Sequence, residues 1–279
     1  MLVDLKTVLK YAEEHNCAIG SFNATTMTSA LAIIGAAEEL NCPVIIMHAQ
    51  VHEELGFCNM ETIAPVLLLL TQRAKVPICV HLDHGTDMDY VKRGIELGFT
   101  SVMYDGSDLD EETNLKNTDI IRELTFKKGV SLEAEIGSMG TRESGQSGGD
   151  DIYTSPEQAK KFAERTGVDA LACAFGTAHG LYLKKPKLDL ERLEKIHELV
   201  KVPLVMHGGS GVSHEDYVNV INRGIRKINY YTYMAKAGGS AVKEAVKEMI
   251  FYHDIEIAAE KAMRKDVLEA MNVFIKKEI

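Results

Sequence analysis

The sequence lacks the features that mark several classes of protein. Its five cysteines are odd in number and include no Cys-x-x-Cys pair, so neither a disulfide framework nor a thiolate zinc site is indicated. The longest uncharged apolar run, residues 63–70, is too short to span a bilayer. The N-terminal segment has the pattern of an amphipathic helix, so we expect no export signal there. We therefore expect a protein of the reducing cytoplasm without a membrane anchor.

Positive charge is also scarce. The chain has 31 Lys and Arg residues against 41 Asp and Glu, which gives a formal net charge of −10, and no basic cluster with interleaved aromatic residues offsets this total. The charge argues against a nucleic-acid or membrane-surface partner. A small anionic substrate is still compatible with it, provided that backbone amides bind the anion.

Hydrophobic residues, by contrast, are plentiful. With 46% hydrophobic content, residues 1–279 can form one domain with a large core if the fold is an α/β barrel. Short apolar runs alternate with segments of helical spacing, such as 88–97 and 190–200. The predicted strands are 18–22, 44–47, 78–82, 101–104, 131–135, 170–174, 204–206 and 227–229.

Strands and helices that alternate at roughly 30-residue spacing are typical of parallel βαβ units. Eight such units predict an α/β fold, the (β/α)₈ TIM barrel, with additional helices at the termini. A doubly wound open sheet is the alternative. It is less favoured because polar residues follow nearly every strand, not only the strands at one switch point.

Three of the ten histidines end a predicted strand and precede a glycine: His84, His179 and His207. Because the carboxyl ends of barrel strands meet at one mouth, these imidazoles should converge there, as the three ligands of a catalytic zinc ion do. His81 lies within its strand on the same side as Asp83, and this position predicts that it is a hydrogen-bonded histidine of the barrel. Four other histidines lie in predicted helices or loops, where the sequence indicates no role for them: His15, His52, His197 and His214.

Acidic residues are predicted at the same mouth. Asp83 either transfers a proton or orients a neighbouring histidine. Asp105, Glu133 and Glu135 could bind a second cation or hold the imidazoles. The segment 137–156, rich in Gly and Ser, is long for a barrel loop; it is either a lid or a disordered insertion, and as a lid it would bring in Glu143 as an acid–base group.

Glycine-rich runs follow the late strands. Residues 207–211 read HGGSG and residues 227–232 read KINYYT. Barrels commonly build a phosphate site at these strands from backbone amides and a helix N-terminus. Tight turns alone are the alternative explanation for the glycines.

Six motifs occur in order: HLDHG at 81–85, GFTSVMYDGS at 98–107, SLEAEIG at 131–137, GVDALACAFGTAHGLY at 167–182, VPLVMHGGSG at 202–211 and KINYYT at 227–232. Together they resemble the class II, zinc-dependent ketose-bisphosphate aldolase family, which includes fructose- and tagatose-bisphosphate aldolases. The resemblance extends from about residue 5 to residue 274.

The resemblance implies a role for many of these residues. His84, His179 and His207 would bind zinc, Asp83 would exchange a proton with the C4 oxygen, and Asp105 and Glu135 match positions that can bind a second metal. The implied substrate contacts are Asn23, Gly180, Gly208, Gly209, Ser210, Asn229, Tyr230, Tyr231 and Thr232. Similar enzymes also use a monovalent cation, Na⁺ or K⁺, near the phosphate and form homodimers or homotetramers.

The chain departs from the family where the far end of the substrate would bind. His48 and Ala49 stand where a serine often contacts the far phosphate, Arg142 is an added charge, and 251–254 lacks the arginine that reaches this phosphate. Tyr231 also replaces a small or acidic residue. His48 and Arg142 are therefore the candidate contacts for a different far group.

The sequence thus predicts a lyase of carbohydrate metabolism or glycolysis that cleaves a ketose 1-phosphate to dihydroxyacetone phosphate and an aldehyde. The far group could be phosphate, as in the standard fructose or tagatose 1,6-bisphosphate reaction, a sulfonate, as in sulfofructose 1-phosphate, or uncharged. A zinc hydrolase or a phosphate-sensing protein could also be built on the same barrel. The hydrolase is less favoured because the chain lacks the His-x-His pair common on an early strand of such enzymes.

Overall fold

A computed structural model describes residues 1–137, 153–182, 185–248 and 251–277. The strands are β1 (Leu2–Val3), β2 (Ile19–Asn23), β3 (Val44–Ala49), β4 (Ile78–Gly85), β5 (Ser101–Tyr104), β6 (Ser131–Ile136), β7 (Ala170–Cys173), β8 (Leu204–Met206) and β9 (Ile225–Tyr230). The helices are α1 (Leu5–Glu14), α2 (Met27–Leu40), α3 (Gln50–Glu54), α4 (Met60–Arg73), α5 (Met88–Leu97), α6 (Glu111–Lys128), α7 (Pro156–Thr166), α8 (Leu190–Leu199), α9 (His214–Ile221), α10 (Thr232–Ala245) and α11 (Tyr252–Phe274).

Strands β2 to β9 form a closed parallel barrel. Each pairs with its neighbour in the chain, β9 returns to β2, and the cycle includes the β4–β5 pairing. The short strand β1 pairs only with the start of β4, at Ile78 and Cys79, before β5 begins. Helices lie between the strands, so the predicted (β/α)₈ barrel is confirmed.

The core has two parts because the strand side chains alternate between the two faces of the barrel wall. Outward residues pack under the surrounding helices in a large apolar cluster. Inward residues of the lower barrel, such as Ile45 and Cys79, pack with Leu5 and Leu9 of α1. Helix α1, capped by Asp4, thus closes the amino end of the barrel and leaves the carboxyl end open for a site.

The other additional terminal helix is α11, at the carboxyl end of the chain. It packs against α2 and α10, and its buried Phe274 accepts a hydrogen bond from the backbone of Ala18 at 3.0 Å. None of the helices in the described ranges has an apolar stretch of the length that a membrane crossing needs.

Every predicted strand lies in the barrel, and the bounds differ by a few residues. The largest extension at one end of a strand is in β4, predicted for 78–82, which continues to Gly85 and so includes Asp83 and His84. Helix α5 occupies the predicted 88–97, and α8 ends one residue before the prediction, where Val200 is the C-cap.

Candidate metal centre and active site

The end of β4 brings two consecutive side chains to the mouth of the barrel. In a regular strand Asp83 and His84 would point to opposite faces. Here His84 has a φ of 44°, and the pairing register with β5 shifts between Leu82 and Gly85. A non-glycine residue in the left-handed region is uncommon and is concentrated at functional sites. The distortion lets both residues face the same pocket.

His84, His179 and His207 converge as the sequence predicts, although His179 lies in the loop after β7, which ends at Cys173. His84, His179 and His207 each offer a ring nitrogen, and these nitrogens all lie within 4.8 Å of one another. Nε2 of His84 is 2.7 Å from Nδ1 of His207. Three imidazoles at one point match the donor type and number of a catalytic zinc site.

Carboxylates fix the orientation of two of these rings. Nδ1 of His84 donates to Oδ2 of Asp105 at 2.7 Å, and Nε2 of His207 donates to Oε1 of Glu133 at 2.9 Å. A carboxylate that binds one ring nitrogen directs the other nitrogen toward the metal position. Both rings therefore present their remaining nitrogen to the centre of the cluster.

A second group of donors adjoins the first. His84, Asp105 and Glu135 have ligand atoms within 4.8 Å of one another. Oε2 of Glu135 has no hydrogen-bond partner in the described part of the chain and lies 3.9 Å from Nδ1 of both His84 and His207. Burial and the charge of Asp105 raise the pKa of Glu135 well above its ordinary value. The geometry is compatible with the two carboxylates as ligands of a second cation.

The histidines differ in their affinity for a proton. Burial lowers the pKa of His84, but the charge of Asp83 and the hydrogen bond to Asp105 outweigh burial and raise it to about 10. Burial and the adjacent His84 lower the pKa of His179 to about 3. Burial likewise lowers the pKa of His207. Two of the rings are thus neutral, the form of imidazole that binds a metal ion.

Two amides hold Asp83 at the floor of the pocket. Nδ2 of Asn23 donates to its Oδ2 and Nδ2 of Asn229 to its Oδ1, each at 2.9 Å. Burial raises the pKa of Asp83, but the nearby His84, His207 and Lys227 outweigh burial and hold it well below its ordinary value. Within the described ranges no hydrogen bond joins Asp83 to a histidine. Its geometry is that of an ionised proton acceptor.

Backbone groups of the late loops form another side of the mouth. Gly208 has a φ of 63°, and a Cβ built there would lie 2.4 Å from the carbonyl oxygen of Ala178. Only glycine fits so close to a neighbouring backbone. The Ser210 hydroxyl accepts a hydrogen bond from the backbone of Tyr231 at 3.0 Å, directly before α10 begins at Thr232. The N-terminus of this helix is suited to an anion.

Most of the predicted site residues line one pocket of about 420 Å³, whereas His207 is not among its lining residues. Its lining includes the predicted residues Asn23, Asp83, His84, His179, Gly180, Gly208, Gly209, Ser210, Asn229, Tyr230, Tyr231 and Thr232. The ring of Tyr230 itself packs in the core against Phe22, with ring centroids 5.8 Å apart. Two of the imidazoles, the Asp83 carboxylate and the glycine-rich loops thus face a shared cavity.

The predicted contacts for the far end of the substrate do not appear in this lining. His48 is wholly buried, and its Nε2 is 2.8 Å from the hydroxyl of Tyr90, so the structure places this side chain away from the pocket. The reason is the strand period: Ala49, the next residue of β3, lines the pocket instead. Arg142 and Glu143 lie outside the described residues.

Sequence reasoning missed one wall of the pocket. Val51, His52, Leu55 and Phe57, from α3 and the loop after it, all line the cavity. The sequence indicates no role for His52 because a five-residue helix gives no periodic signal and the histidine does not end a strand. This wall can be recognised only in the structure, where α3 follows β3 directly and lies at the mouth of the barrel.

Sequence reasoning also missed Lys227, on β9. Its side chain is wholly buried, and Nζ contacts the Glu133 carboxylate that binds His207. His81 lies in the same layer, with Nδ1 2.8 Å from the Ser101 hydroxyl, as predicted for a hydrogen-bonded barrel histidine. The available signal was the position of Lys227 in a predicted strand. A lysine is almost never fully buried unless it is paired, so this position indicates an acidic partner inside the barrel.

Comparisons with known proteins agree with this geometry. The family model described as fructose-bisphosphate aldolase class-II matches residues 3–278. A fructose-bisphosphate aldolase of Geobacillus stearothermophilus is 37% identical over 246 residues, which cover 87% of this chain and 85% of that protein. A sulfofructosephosphate aldolase of Alkalicoccus urumqiensis is 35% identical over 282 residues, with 96% and 95% of the two chains covered.

The third relative has a solved structure. YdjI of Escherichia coli strain K12, named as an uncharacterized protein, is 35% identical over 277 residues, 98% of each chain. The crystal structure titled as the YdjI aldolase superposes with a TM-score of 0.88 at 34% identity and covers 98% of this chain and 97% of that one. The likeness therefore includes the whole barrel.

Proposed function

The chain belongs to the class II fructose-bisphosphate aldolase family, and we propose that it is a zinc-dependent aldolase that reversibly cleaves a ketose 1-phosphate to dihydroxyacetone phosphate and an aldehyde. One observation carries the proposal. Three imidazoles converge, and two of them, His84 and His179, line one pocket together with the ionised Asp83 and a glycine-lined helix N-terminus. A metal, a base and an anion site are the three groups that such a cleavage needs.

The donor set supports zinc as the metal. His84, His179 and His207 supply three nitrogen ligands, and Asp105 and Glu133 fix the rings from outside. Three protein ligands leave a position for substrate, as in other catalytic zinc sites. Zinc bound here would act as a Lewis acid toward the ketone oxygen and stabilise the negative charge that develops on cleavage.

The proposed proton acceptor is Asp83. In the cleavage direction its carboxylate takes the proton of the C4 hydroxyl, the C4 oxygen becomes the aldehyde oxygen, and the electron pair of the C3–C4 bond stays with the dihydroxyacetone half. Asn23 and Asn229 hold the carboxylate in place through both oxygens. An acid must then return a proton to C3, and Glu143 is our candidate for that step.

The phosphate of the dihydroxyacetone half is proposed to bind at the glycine-rich side. Gly180, Gly208 and Gly209 line the pocket without side chains, and Ser210 and Thr232 offer hydroxyls at the start of α10. A negative charge is stabilised at a helix N-terminus. We also propose a Na⁺ or K⁺ ion near this phosphate, bound by backbone oxygens.

The far end of the substrate is the finer part of the proposal. Relatives of similar identity are named for a bisphosphate and for a sulfonated phosphate substrate. The proposed function leaves this group open between a phosphate, a sulfonate as in sulfofructose 1-phosphate, and an uncharged end, with Arg142 as the candidate contact for an anion. The resemblance also leads us to propose a cytoplasmic enzyme of carbohydrate metabolism that forms homodimers or homotetramers.

A panel of ketose 1-phosphates tests the proposal. The panel pairs both C4 epimers with a phosphate, a sulfonate or a hydroxyl at the far end, and a coupled assay detects dihydroxyacetone phosphate. We expect cleavage of at least one member with equal amounts of dihydroxyacetone phosphate and aldehyde. Release of inorganic phosphate without aldehyde would instead indicate a hydrolase, and binding without turnover would indicate a sensor.

A further inference from the structure

The far wall of the pocket, defined as Val51, His52, Leu55 and Phe57, is mostly apolar. Val51, Leu55 and Phe57 are 46%, 60% and 54% exposed, although each is an apolar residue. All three line the cavity that Asp83, His84 and His179 also line. Exposed apolar side chains that converge on a cavity mark a binding surface for an apolar or uncharged group.

His52 is the polar member of this wall. It is only 6% exposed and lies between two aromatic rings, with centroid distances of 5.7 Å to Phe57 and 4.7 Å to Tyr231. Its Nδ1 has no hydrogen-bond partner in the described part of the chain. A buried polar atom without a partner is unusual and calls for an explanation, such as a bound ligand.

Burial also decides the charge of this histidine. It lowers the pKa of His52, so the ring is neutral near pH 7. The charge of Asp83 acts in the opposite direction on this pKa but does not outweigh burial. A neutral imidazole offers one hydrogen-bond donor and one acceptor, which suits a hydroxyl group better than a dianion.

The described lining of the pocket contains no lysine or arginine. A phosphate dianion is normally bound by a bidentate arginine or several charge-assisted donors. Against an apolar wall that holds one neutral histidine, such an anion would lose hydration without compensation. The same wall would bind a methyl or hydroxymethyl group without this penalty.

From these contacts we propose that the far wall binds an uncharged aldehyde, with a hydroxyl group of that aldehyde hydrogen-bonded to His52 and its carbon end packed against Leu55 and Phe57. The substrate class is then a ketose 1-phosphate with no charge at the end remote from the phosphate. This inference rests on the proposed function, since it assigns the aldehyde half of the same cleavage.

Aldol synthesis from dihydroxyacetone phosphate tests the inference. The acceptors are glyceraldehyde and lactaldehyde, which are uncharged, against glyceraldehyde 3-phosphate and sulfolactaldehyde, which are anions, each as both enantiomers. We expect kcat/KM for the better uncharged acceptor to exceed that of either anion by at least tenfold. An anionic acceptor with an equal or higher kcat/KM would overturn the inference.

A separate measurement distinguishes the two proposals. Exchange of the C3 proton of dihydroxyacetone phosphate with solvent needs no aldehyde, so it reports on the proposed function alone. Exchange together with a preference for an anionic acceptor would leave the aldolase intact and refute the uncharged far end. Absence of both exchange and synthesis would refute the proposed function and the inference with it.

Two variants locate the effect on the wall. His52→Phe keeps an aromatic ring but cannot hydrogen-bond, so it should raise KM for glyceraldehyde by roughly tenfold and affect unhydroxylated propanal much less. Leu55→Arg introduces a cation and should increase kcat/KM for glyceraldehyde 3-phosphate relative to glyceraldehyde. Leu69→Arg, at another exposed leucine outside the pocket lining, is the matched control and should leave that ratio unchanged. An equal change in Leu69→Arg, or none in His52→Phe, would contradict the assignment.

Discussion

Lys227 and Glu133 form an ion pair that the barrel encloses completely, since both side chains are 0% exposed. Nζ of Lys227 lies 3.0 Å from Oε1 and 2.9 Å from Oε2 of Glu133. Oε1 also accepts the hydrogen bond from Nε2 of His207. The lysine therefore fixes the carboxylate that in turn fixes a proposed zinc ligand.

Lys227→Met tests this arrangement. It leaves the Glu133 charge buried without its partner, which typically costs about 3–5 kcal/mol of stability. The free energy of unfolding in urea should fall by this order, and zinc should bind more weakly because His207 loses a fixed acceptor. Lys227→Met/Glu133→Gln removes the unpaired charge and should recover much of the stability but not the zinc affinity. Full zinc affinity in Lys227→Met would contradict the positioning role.

A second prediction concerns the metal itself. Chelation should abolish cleavage, and zinc or cobalt should restore it, because the proposed reaction needs the metal that His84, His179 and His207 would bind. Borohydride in the presence of substrate should trap no lysine adduct, as the buried Lys227 is engaged by Glu133 and no lysine lines the described pocket. Mass spectrometry of the treated protein checks the second point. Full activity of metal-free protein would refute the zinc assignment.

The barrel was predictable because its signal repeats. Eight apolar runs recur at similar spacing, and His84, His179 and His207 each follow one of these runs and precede a glycine. Parallel strands bring such ends together whatever the details of packing. The convergence of these histidines with Asp83 could therefore be inferred without coordinates.

The remaining features depend on contacts that a local pattern does not show. The position of His48 after a predicted strand indicates a substrate contact, whereas the strand continues to Ala49 and directs His48 toward Tyr90. His52 lies on a helix too short to predict. Lys227 is explained only by Glu133, which is 94 positions away in the sequence.

The third prediction follows from the burial of His48, which lowers its pKa to about 4. An unfolded histidine titrates near pH 6.5, so between about pH 6.5 and 4 the unfolded chain binds a proton that the folded protein does not. Stability should therefore fall as the pH falls through this range, by up to about 1.4 kcal/mol per pH unit from this residue. His48→Gln should flatten the dependence, as urea unfolding at several pH values would show. His253→Gln, at an exposed histidine, is the control, and an equal flattening there would contradict the role of burial.

The last prediction separates Asp83 from its neighbour His207. Asp83→Asn keeps the size of the side chain but removes the carboxylate that Asn23 and Asn229 hold. We expect zinc to stay bound, measured by metal analysis, and cleavage to fall by orders of magnitude because no base accepts the C4 hydroxyl proton. Exchange of the dihydroxyacetone phosphate C–H with solvent should survive better, since that reaction has no C4 hydroxyl. His207→Ala should lose both zinc and exchange, because it removes a ligand. If Asp83→Asn loses zinc to the same extent as His207→Ala, then Asp83 supports the metal site and is not the proton acceptor.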